Sequence, residues 1–403
     1  MQDKGCEIWL KKGEEKRLRG GHLWIFSNEV DTERSPIRDL PPGAPAVFHE
    51  HGGRAIGSGY INPHSLICGR LLSRDARRMP DQAMLEERLR LALELRQRLY
   101  PAPYYRLIHG EGDGLPGLVV DRYGDVCVVQ INTAGMEHLQ EAVLDAIQAV
   151  LAPRHLLLRA DSGLRDLEGL DSYTLWVGSD GVEELRVEEN GCAFHVPALG
   201  GQKTGWFYDH RRNRARLVDH VRGARVLDVC SYVGGWGVQA LAQGAEHVTC
   251  VDSSSDALDR ATANATLNGV DERLTTIEGD AFEVLQALRQ EKLRYDVVIL
   301  DPPAFVKKRK DLRNGLAGYR RLNGLAMQVL AHQGMLISAS CSSHVGEDAL
   351  LQEVLGAARH LDRSLQLVER GSQSADHPMH AAMPETRYLK CLTCRVLPAW
   401  VSP

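Results

Sequence analysis

Past His195 the sequence keeps one rhythm. Short runs of branched apolar residues each stop on an acid or a polar turn, and stretches with helical spacing separate them. The runs are "RVLDVC" (225–230), "HVTCVD" (247–252), "RLTTIEGD" (273–280), "DVVILDPP" (296–303) and "GMLISASC" (334–341), with patterns such as "SSDALDRATANATLNG" between them. Parallel neighbours need a crossover, and a helix is the usual one, so this alternation predicts a doubly wound, mostly parallel sheet. The tail, "LQLVERG" and "RYLKCLTCRVL", predicts a closing antiparallel hairpin. Ligands of such a sheet bind at the carboxyl ends of its strands, which is where the acids stand.

The preceding residues are organised differently, and 403 residues exceed one ordinary domain. Residues 1–76 carry short alternating runs broken by Gly and Pro, as in "EIWLKKGEEKRLRGGHLWIFSNEV" and "LPPGAPAVFHEHGGRAIGSGYINP", which predict a small β-barrel. Residues 77–188 read as an α+β module. It has a helix over Pro80–Tyr100, a hairpin around Tyr123-Gly124-Asp125 and a second helix over about Met136–Leu151. Residues 189–403 hold the parallel sheet. No apolar run approaches the ~18 residues of a membrane span, and the start lacks an apolar signal core, so a cytoplasmic protein is expected. Nine cysteines without framework spacing fit a reducing compartment.

The first strand runs into Asp228-Val229-Cys230-Ser231-Tyr232-Val233-Gly234-Gly235-Trp236-Gly237, and Asp252 ends the second strand 24 positions after Asp228. That spacing suits a carboxylate accepting from a ribose diol. A dinucleotide site would put its glycines directly after the strand, so that pyrophosphate meets a helix N-terminus. Here the glycines come later and an acid precedes them. S-adenosylmethionine has no phosphate but carries an ammonium. Asp228 can face that charge while Gly234 and Gly235 let the backbone approach. Asp280 and Ala281, after the third strand, add an acceptor for an adenine amino group. Turn glycines with helix-capping acids are the alternative explanation.

The fourth strand ends Leu300-Asp301-Pro302-Pro303-Ala304-Phe305, where the prolines stop the strand and fix the carboxylate at the sheet edge. Enzymes that methylate exocyclic amines place a stacking aromatic directly after such prolines. Ala304 stands there, which disfavours amine methylation. Cytosine C5 needs covalent help instead: a thiolate adding to C6 turns C5 into a nucleophile, and an acid near N3 stabilises the adduct. Cys341, at the end of the fifth strand, and Asp301 are the candidates. A cysteine in a strand is otherwise a core filler.

The net charge, 48 basic against 53 acidic residues, gives no signal for nucleic acid. Locally, Lys203–Arg222 holds six basic and two acidic residues, and Val306–Arg321 holds seven against one. Lys307, Lys308, Lys310, Arg211 and Arg212 are therefore candidate phosphate contacts, with a solvated charged face as the plain alternative.

The chain also resembles the bacterial large-subunit ribosomal RNA methyltransferase I group over nearly its whole length. "KKGEEKRLRGGHLWIFSNEV" is similar to the opening of a PUA RNA-binding domain. "EGDGLPGLVVDRYGD", "GQKTGWFYDHRRNR", "LDPPAFV", "SASCS" and "SADHPMHAAMPETRYLKCLTCRVL" match the family in order. The resemblance implies a PUA β-barrel, a middle α+β domain and a Rossmann-like class I methyltransferase domain. It implies 5-methylcytosine formation in 23S rRNA, naked or in a partly assembled large subunit, without a membrane. Cys341 would be the nucleophile. Asp228, Asp252, Asp280 and Asp301 would lie at the methyl-donor site, joined by Phe207, Tyr232, Gly234 and Ala281. Related RNA 5-methylcytosine enzymes have a second cysteine where this chain has Pro303, so the base that removes the C5 proton is unassigned.

Two other functions stay open: methylation of a guanine or adenine with Cys341 a bystander, and an RNA-binding assembly factor without catalysis. A homodimer is open as well. Cys391 and Cys394 have zinc spacing but no second pair and sit in an alternating strand, so they read as core, and no metal is expected. His377 and His380 read as loop residues. Cys6, Cys68, Cys127, Cys192, Cys230 and Cys250 read as incidental thiols.

Overall fold

The computed structural model describes residues 5–178, 180–201 and 204–399. They form two compact units. One runs to Leu185 and adds Pro197–Trp206 and Ala375–Thr386; the other holds Arg186–Val196, Phe207–Ser374 and the chain from Arg387.

The first unit contains two five-stranded sheets. Strands β1 (Cys6–Trp9), β2 (Trp24–Ile25), β3 (Ala44–His49), β4 (Ala55–Ile61) and β5 (Gly69–Ser73) lie in the order β1-β3-β4-β5-β2. Their core is Ile8, Leu10, Ile25, Phe48, Ile61 and neighbours. The segment "GEEKRLR", expected within a strand-rich stretch, instead forms a short helix over Glu15–Arg19, which buries only Leu18. Strands β6 (Tyr104–His109), β7 (Leu118–Tyr123), β8 (Val126–Ile131), β9 (His155–Ala160) and β10 (Tyr173–Val177) lie in sequence order.

The helix Gln82–Leu99 covers this second sheet and is capped by Asp81, whose side chain accepts from the Met84 N–H at 2.8 Å. The helix expected over 136–151 is divided into Ala134–His138 and Gln140–Leu151. The first piece presses on Tyr60, and a Cβ on Gly135 would stand 2.0 Å from that ring. Tyr60, which donates to the Pro116 carbonyl at 2.8 Å, and Leu72 join the core of the second sheet, and buried Arg70 pairs with buried Glu168 at 2.9 Å.

The second unit holds Arg186–Val196, most of a hairpin of β11 (Glu184–Glu189) and β12 (Cys192–Pro197), followed by a seven-stranded sheet. Its strands are β13 (Arg225–Val229), β14 (His247–Asp252), β15 (Leu274–Glu278), β16 (Tyr295–Leu300), β17 (Leu330–Ser340), β18 (Arg363–Ser372) and β19 (Lys390–Pro398). Their order is β15-β14-β13-β16-β17-β19-β18. The first five are parallel, and β19 runs antiparallel between β17 and β18. Leu227, Val229, Val298 and Leu300 join the helices Ala281–Gln290, Leu312–Val329 and Glu347–His360 in one core. Val226, Val297 and Ile299, also buried, alternate to the other face.

Strand β17 begins before the expected Gly334. The polar residues His332 and Gln333 are absorbed by an irregularity opposite Tyr295–Val297, with Gln333 at a positive φ of 65°. Strand order reverses at β13, so the carboxyl ends of β13, β14 and β16 border the crevice where such a fold takes its ligand. Among the described residues no helix is long and apolar enough to cross a membrane, and no group of three or more His, Cys, Asp or Glu could hold a metal ion. Cys391 and Cys394 are buried in β19, three positions apart and therefore on opposite faces.

Candidate active site

The loop after β13 is bent sharply. Cys230, Tyr232 and Gly234 all have positive φ, at 65°, 49° and 82°. Two of them are not glycine, and each such residue costs of order 1–3 kcal/mol, a strain typical of ligand-binding turns. The surroundings hold the bend. Tyr232 donates its backbone N–H to Asp252 Oδ2 at 2.9 Å, and Asn264 donates to the Val233 carbonyl at 3.0 Å. At Gly237 a Cβ would stand 2.6 Å from Cys250 Sγ, so only glycine lets the following helix, Gly235–Ala242, lie this close to β14.

Three carboxylates converge here. Asp228 is fully buried, and its Oδ2 accepts from the Gly237 N–H at 2.9 Å. Its Oδ1 has no hydrogen-bond partner among the described residues. Burial, with the charge of Asp301 added, pushes its pKa up to about 8. A buried carboxyl with an open oxygen is a receptor for a cation. Asp252 spends its oxygens on the N–H groups of Tyr232 and Ser254.

Asp301 accepts from the Trp236 indole N–H at 3.0 Å and faces His210 Nε2 at 3.2 Å. Burial alone would raise its carboxyl, but the His210 ring and the indole outweigh it and hold it below its usual value. Asn213 lies 3.2 Å from His210 Nδ1 and can donate to it, which leaves a proton on Nε2 facing Asp301. Neither His210 nor Trp236 was singled out from the sequence. The motif "FYDHRRNR" contains the histidine, but only folding sets it against β16.

The other expected donor-site residues divide. Phe207 meets the Tyr232 ring edge to face at 5.6 Å, forming an aromatic corner beside the loop. Asp280 is exposed and caps the helix it precedes, its Oδ1 accepting from Phe282 and Glu283 N–H at 2.9 and 3.2 Å. Ala281 is the first residue of that helix. Phe305 is not a free stacking platform, because its ring packs on Phe282 at 6.3 Å and on Tyr319 at 4.7 Å.

Cys341 follows the last residue of β17, half-buried. Leu300 pairs with Ser338, so Asp301 and Cys341 leave adjacent parallel strands at the same end. The serines flanking the cysteine are tied to one phenol: Ser340 Oγ donates to Tyr319 Oη at 2.8 Å, and Ser342 Oγ lies 3.0 Å from it. Lys390, opposite Ser340 in β19, is buried and donates through Nζ to the Ser342 carbonyl at 2.5 Å.

Of the expected RNA contacts, Lys307, Lys308 and Lys310 are exposed in the loop after β16, and Arg212 is exposed on its short helix. Arg211 corrects the expectation. It is buried, its Nε donates to buried Glu189 at 3.3 Å, and its guanidinium lies over Tyr208. Arg214 donates to the same carboxylate at 2.6 Å. Two cations around one buried anion form a structural cluster rather than a phosphate clamp.

Asp252→Ala removes the acceptor that holds Tyr232 in its left-handed turn. It is expected to weaken S-adenosylmethionine binding by ~1–3 kcal/mol. Calorimetry checks this, and unchanged affinity removes Asp252 from the donor site.

A family model described as S-adenosylmethionine-dependent methyltransferase matches residues 106–392, and one described as PUA-like domain matches 8–74. The ribosomal RNA large subunit methyltransferase I of Aliivibrio fischeri is 36% identical over 395 residues, covering 97% of this chain and 99% of its own. That of Klebsiella pneumoniae strain 342 is 36% identical, covering 96% and 98%. The crystal structure of SMU.776 complexed with SAH shares the fold, with TM-score 0.83, 20% identity and coverage of 97% and 100%. The chain, a mixed α/β protein whose cofactor is S-adenosylmethionine, belongs to the ribosomal RNA large subunit methyltransferase I family.

Proposed function

We propose that this protein methylates C5 of a cytosine in 23S rRNA through a covalent bond between Cys341 and C6. The observation that carries the reading is the pairing of Cys341 with Asp301 at the same end of adjacent strands, beside the loop that suits the methyl donor. S-adenosylmethionine supplies an electrophilic methyl group. Cys341 Sγ, as thiolate, forms a bond to C6, and the displaced electron pair of the C5–C6 bond makes C5 the nucleophile. As the bond to C6 forms, N3 takes up a proton from water and returns it when the thiolate leaves; Asp301, held ionised by His210 and Trp236, accepts a hydrogen bond from that N3–H. Methylation at C5, loss of the C5 proton to a base and expulsion of the thiolate complete the cycle. Asp228 Oδ1 would hold the donor's ammonium, Asp252 its ribose, and Asp280 with Ala281 its adenine, while Phe207, Tyr232 and Gly234 would shape the cleft.

The relatives' shared name supports rRNA of the large subunit as substrate; we place the reaction on naked or partly assembled rRNA in the cytoplasm. We assign residues 1–76 to RNA binding, 77–188 to a middle domain and 189–403 to catalysis, with Lys307, Lys308, Lys310 and Arg212 on the RNA side. Methylation of an exocyclic amine is disfavoured by Ala304 after the prolines and by the packed ring of Phe305. The test is product identity. After incubation of 23S rRNA with methyl-labelled S-adenosylmethionine, nucleoside digestion is expected to put the label in 5-methylcytidine. Label in a guanosine or adenosine overturns the assignment.

A further inference from the structure

We infer that Lys390 is the positioning residue that holds Cys341 as a thiolate, its ammonium serving as the counter-charge beneath the Ser340–Ser342 arch. The inference rests on the reading of Cys341 as nucleophile and adds the group that makes the thiol reactive. It begins from the sheet. Because β19 runs antiparallel to β17, Lys390 is the cross-strand partner of Ser340, and its Nζ reaches past Cys341 to the carbonyl of Ser342. The side chain therefore spans the residue in question. Its second hydrogen bond goes to the Tyr388 carbonyl at 2.8 Å. Both partners are neutral oxygens, so neither offsets a buried positive charge.

The charged and titratable groups around this point are few. Tyr319, on the helix Leu312–Val329, is occupied by Ser340 and Ser342, and burial raises its pKa, so it faces the sulfur as a neutral hydroxyl. Glu347, at the start of the helix Glu347–His360, is held by Arg370 and by Arg387, the latter at 2.5 Å. Arg387 also repels the Lys390 ammonium. Glu347 attracts the ammonium too, but less than the Cys341 sulfur does. Burial lowers the Lys390 pKa to about 8, and Cys341 is the largest influence opposing the fall. The attraction is mutual, so the neighbouring cation favours thiolate over thiol.

The other cysteines lack this arrangement. Burial, helped by Asp252 and its fellow acids, pushes the Cys230 thiol up, and burial does the same for Cys391. Reactivity toward an alkylating agent should then concentrate at Cys341 among the cysteines of this unit.

The experiment is iodoacetamide alkylation of the full-length protein without RNA. The rate at Cys341 is followed by peptide mass spectrometry across pH, in the wild type, Lys390→Met and Lys390→Arg. The wild-type midpoint is expected a unit or more below the ~8.5 of an ordinary thiol. Lys390→Met should raise it by about one unit or more, slowing alkylation at pH 7 about tenfold, and Lys390→Arg should restore most of the shift. Retained S-adenosylmethionine affinity shows that the variants are folded. A wild-type midpoint at or above ~8.5 overturns the inference whether or not the variants fold. So does an unmoved midpoint in Lys390→Met, or an equal rise in both variants, which would mark Lys390 as a strut. No RNA is present, so a low midpoint upholds the role of Lys390 even where RNA forms no adduct. An adduct formed by a thiol of ordinary midpoint would refute the role of Lys390 alone.

Discussion

Cys341→Ala is expected to lose methyl transfer by at least ~10³-fold while keeping its fold and its affinity for S-adenosylmethionine. Without the sulfur, C5 of cytosine has no electron pair to offer, and neither Asp301 nor the donor can substitute for a missing bond to C6. The structural cost is small by comparison. Cys341 is half-buried at the end of β17, and the serines on either side keep their bonds to Tyr319 whether or not a sulfur stands between them. Deleting one sulfur there costs about 1–2 kcal/mol at most. Single-turnover methylation, a thermal melt and a donor titration separate the two properties. A variant that melts early yet still methylates would make Cys341 packing and no more.

Asp301→Asn should be the next most damaging change, lowering the methylation rate by ~10²–10⁴-fold with a much smaller effect on donor affinity. The substitution keeps size and removes charge. Asp301 now offers one oxygen to the Trp236 indole and the other to His210; an amide has a single acceptor and would turn an N–H toward one of these donors. The carboxylate that accepts from N3–H in the adduct is lost, so the adduct and the transition states on either side of it lose that stabilisation. Rates measured at saturating donor and RNA isolate that step. A rate within a few-fold of wild type would take Asp301 out of catalysis and leave it as a scaffold for Trp236.

The parallel sheet was legible because four of its five parallel strands, β13, β14, β16 and β17, are largely buried and read as apolar runs, each closed by a polar residue that solvent or ligand must meet. Asp228, Asp252 and Asp301 could be placed for the same reason: a carboxylate after such a run lies at the sheet's carboxyl edge. What lay outside reach depended on neighbours across the fold. His210 sits on Asp301 because the short helices before β13 pack beside the helix Gly235–Ala242. Lys390 pairs with Ser340, next to Cys341, because β19 inserts antiparallel between β17 and β18, an order that no local pattern encodes.

Charge was the weakest guide. The run around Arg211 and Arg212 looks uniform as letters, yet one arginine is buried on Glu189 and the next is exposed, as one step around a helix requires. Asp280 shows a related limit, since an acid after a strand is also an acid before a helix, and here it caps.

RNA carrying 5-fluorocytosine gives the most direct measurement of the covalent mechanism. After the methyl group arrives at C5, fluorine cannot leave as a cation, so a thiolate bonded to C6 cannot be expelled. With S-adenosylmethionine and fluorinated 23S rRNA, the wild-type protein is predicted to migrate with the RNA on a denaturing gel, with the crosslink mapping to Cys341. Cys341→Ala should give none. A methylated but uncrosslinked fluorocytosine RNA, or full methylation of cytosine by the alanine variant, would contradict a Cys341–C6 bond.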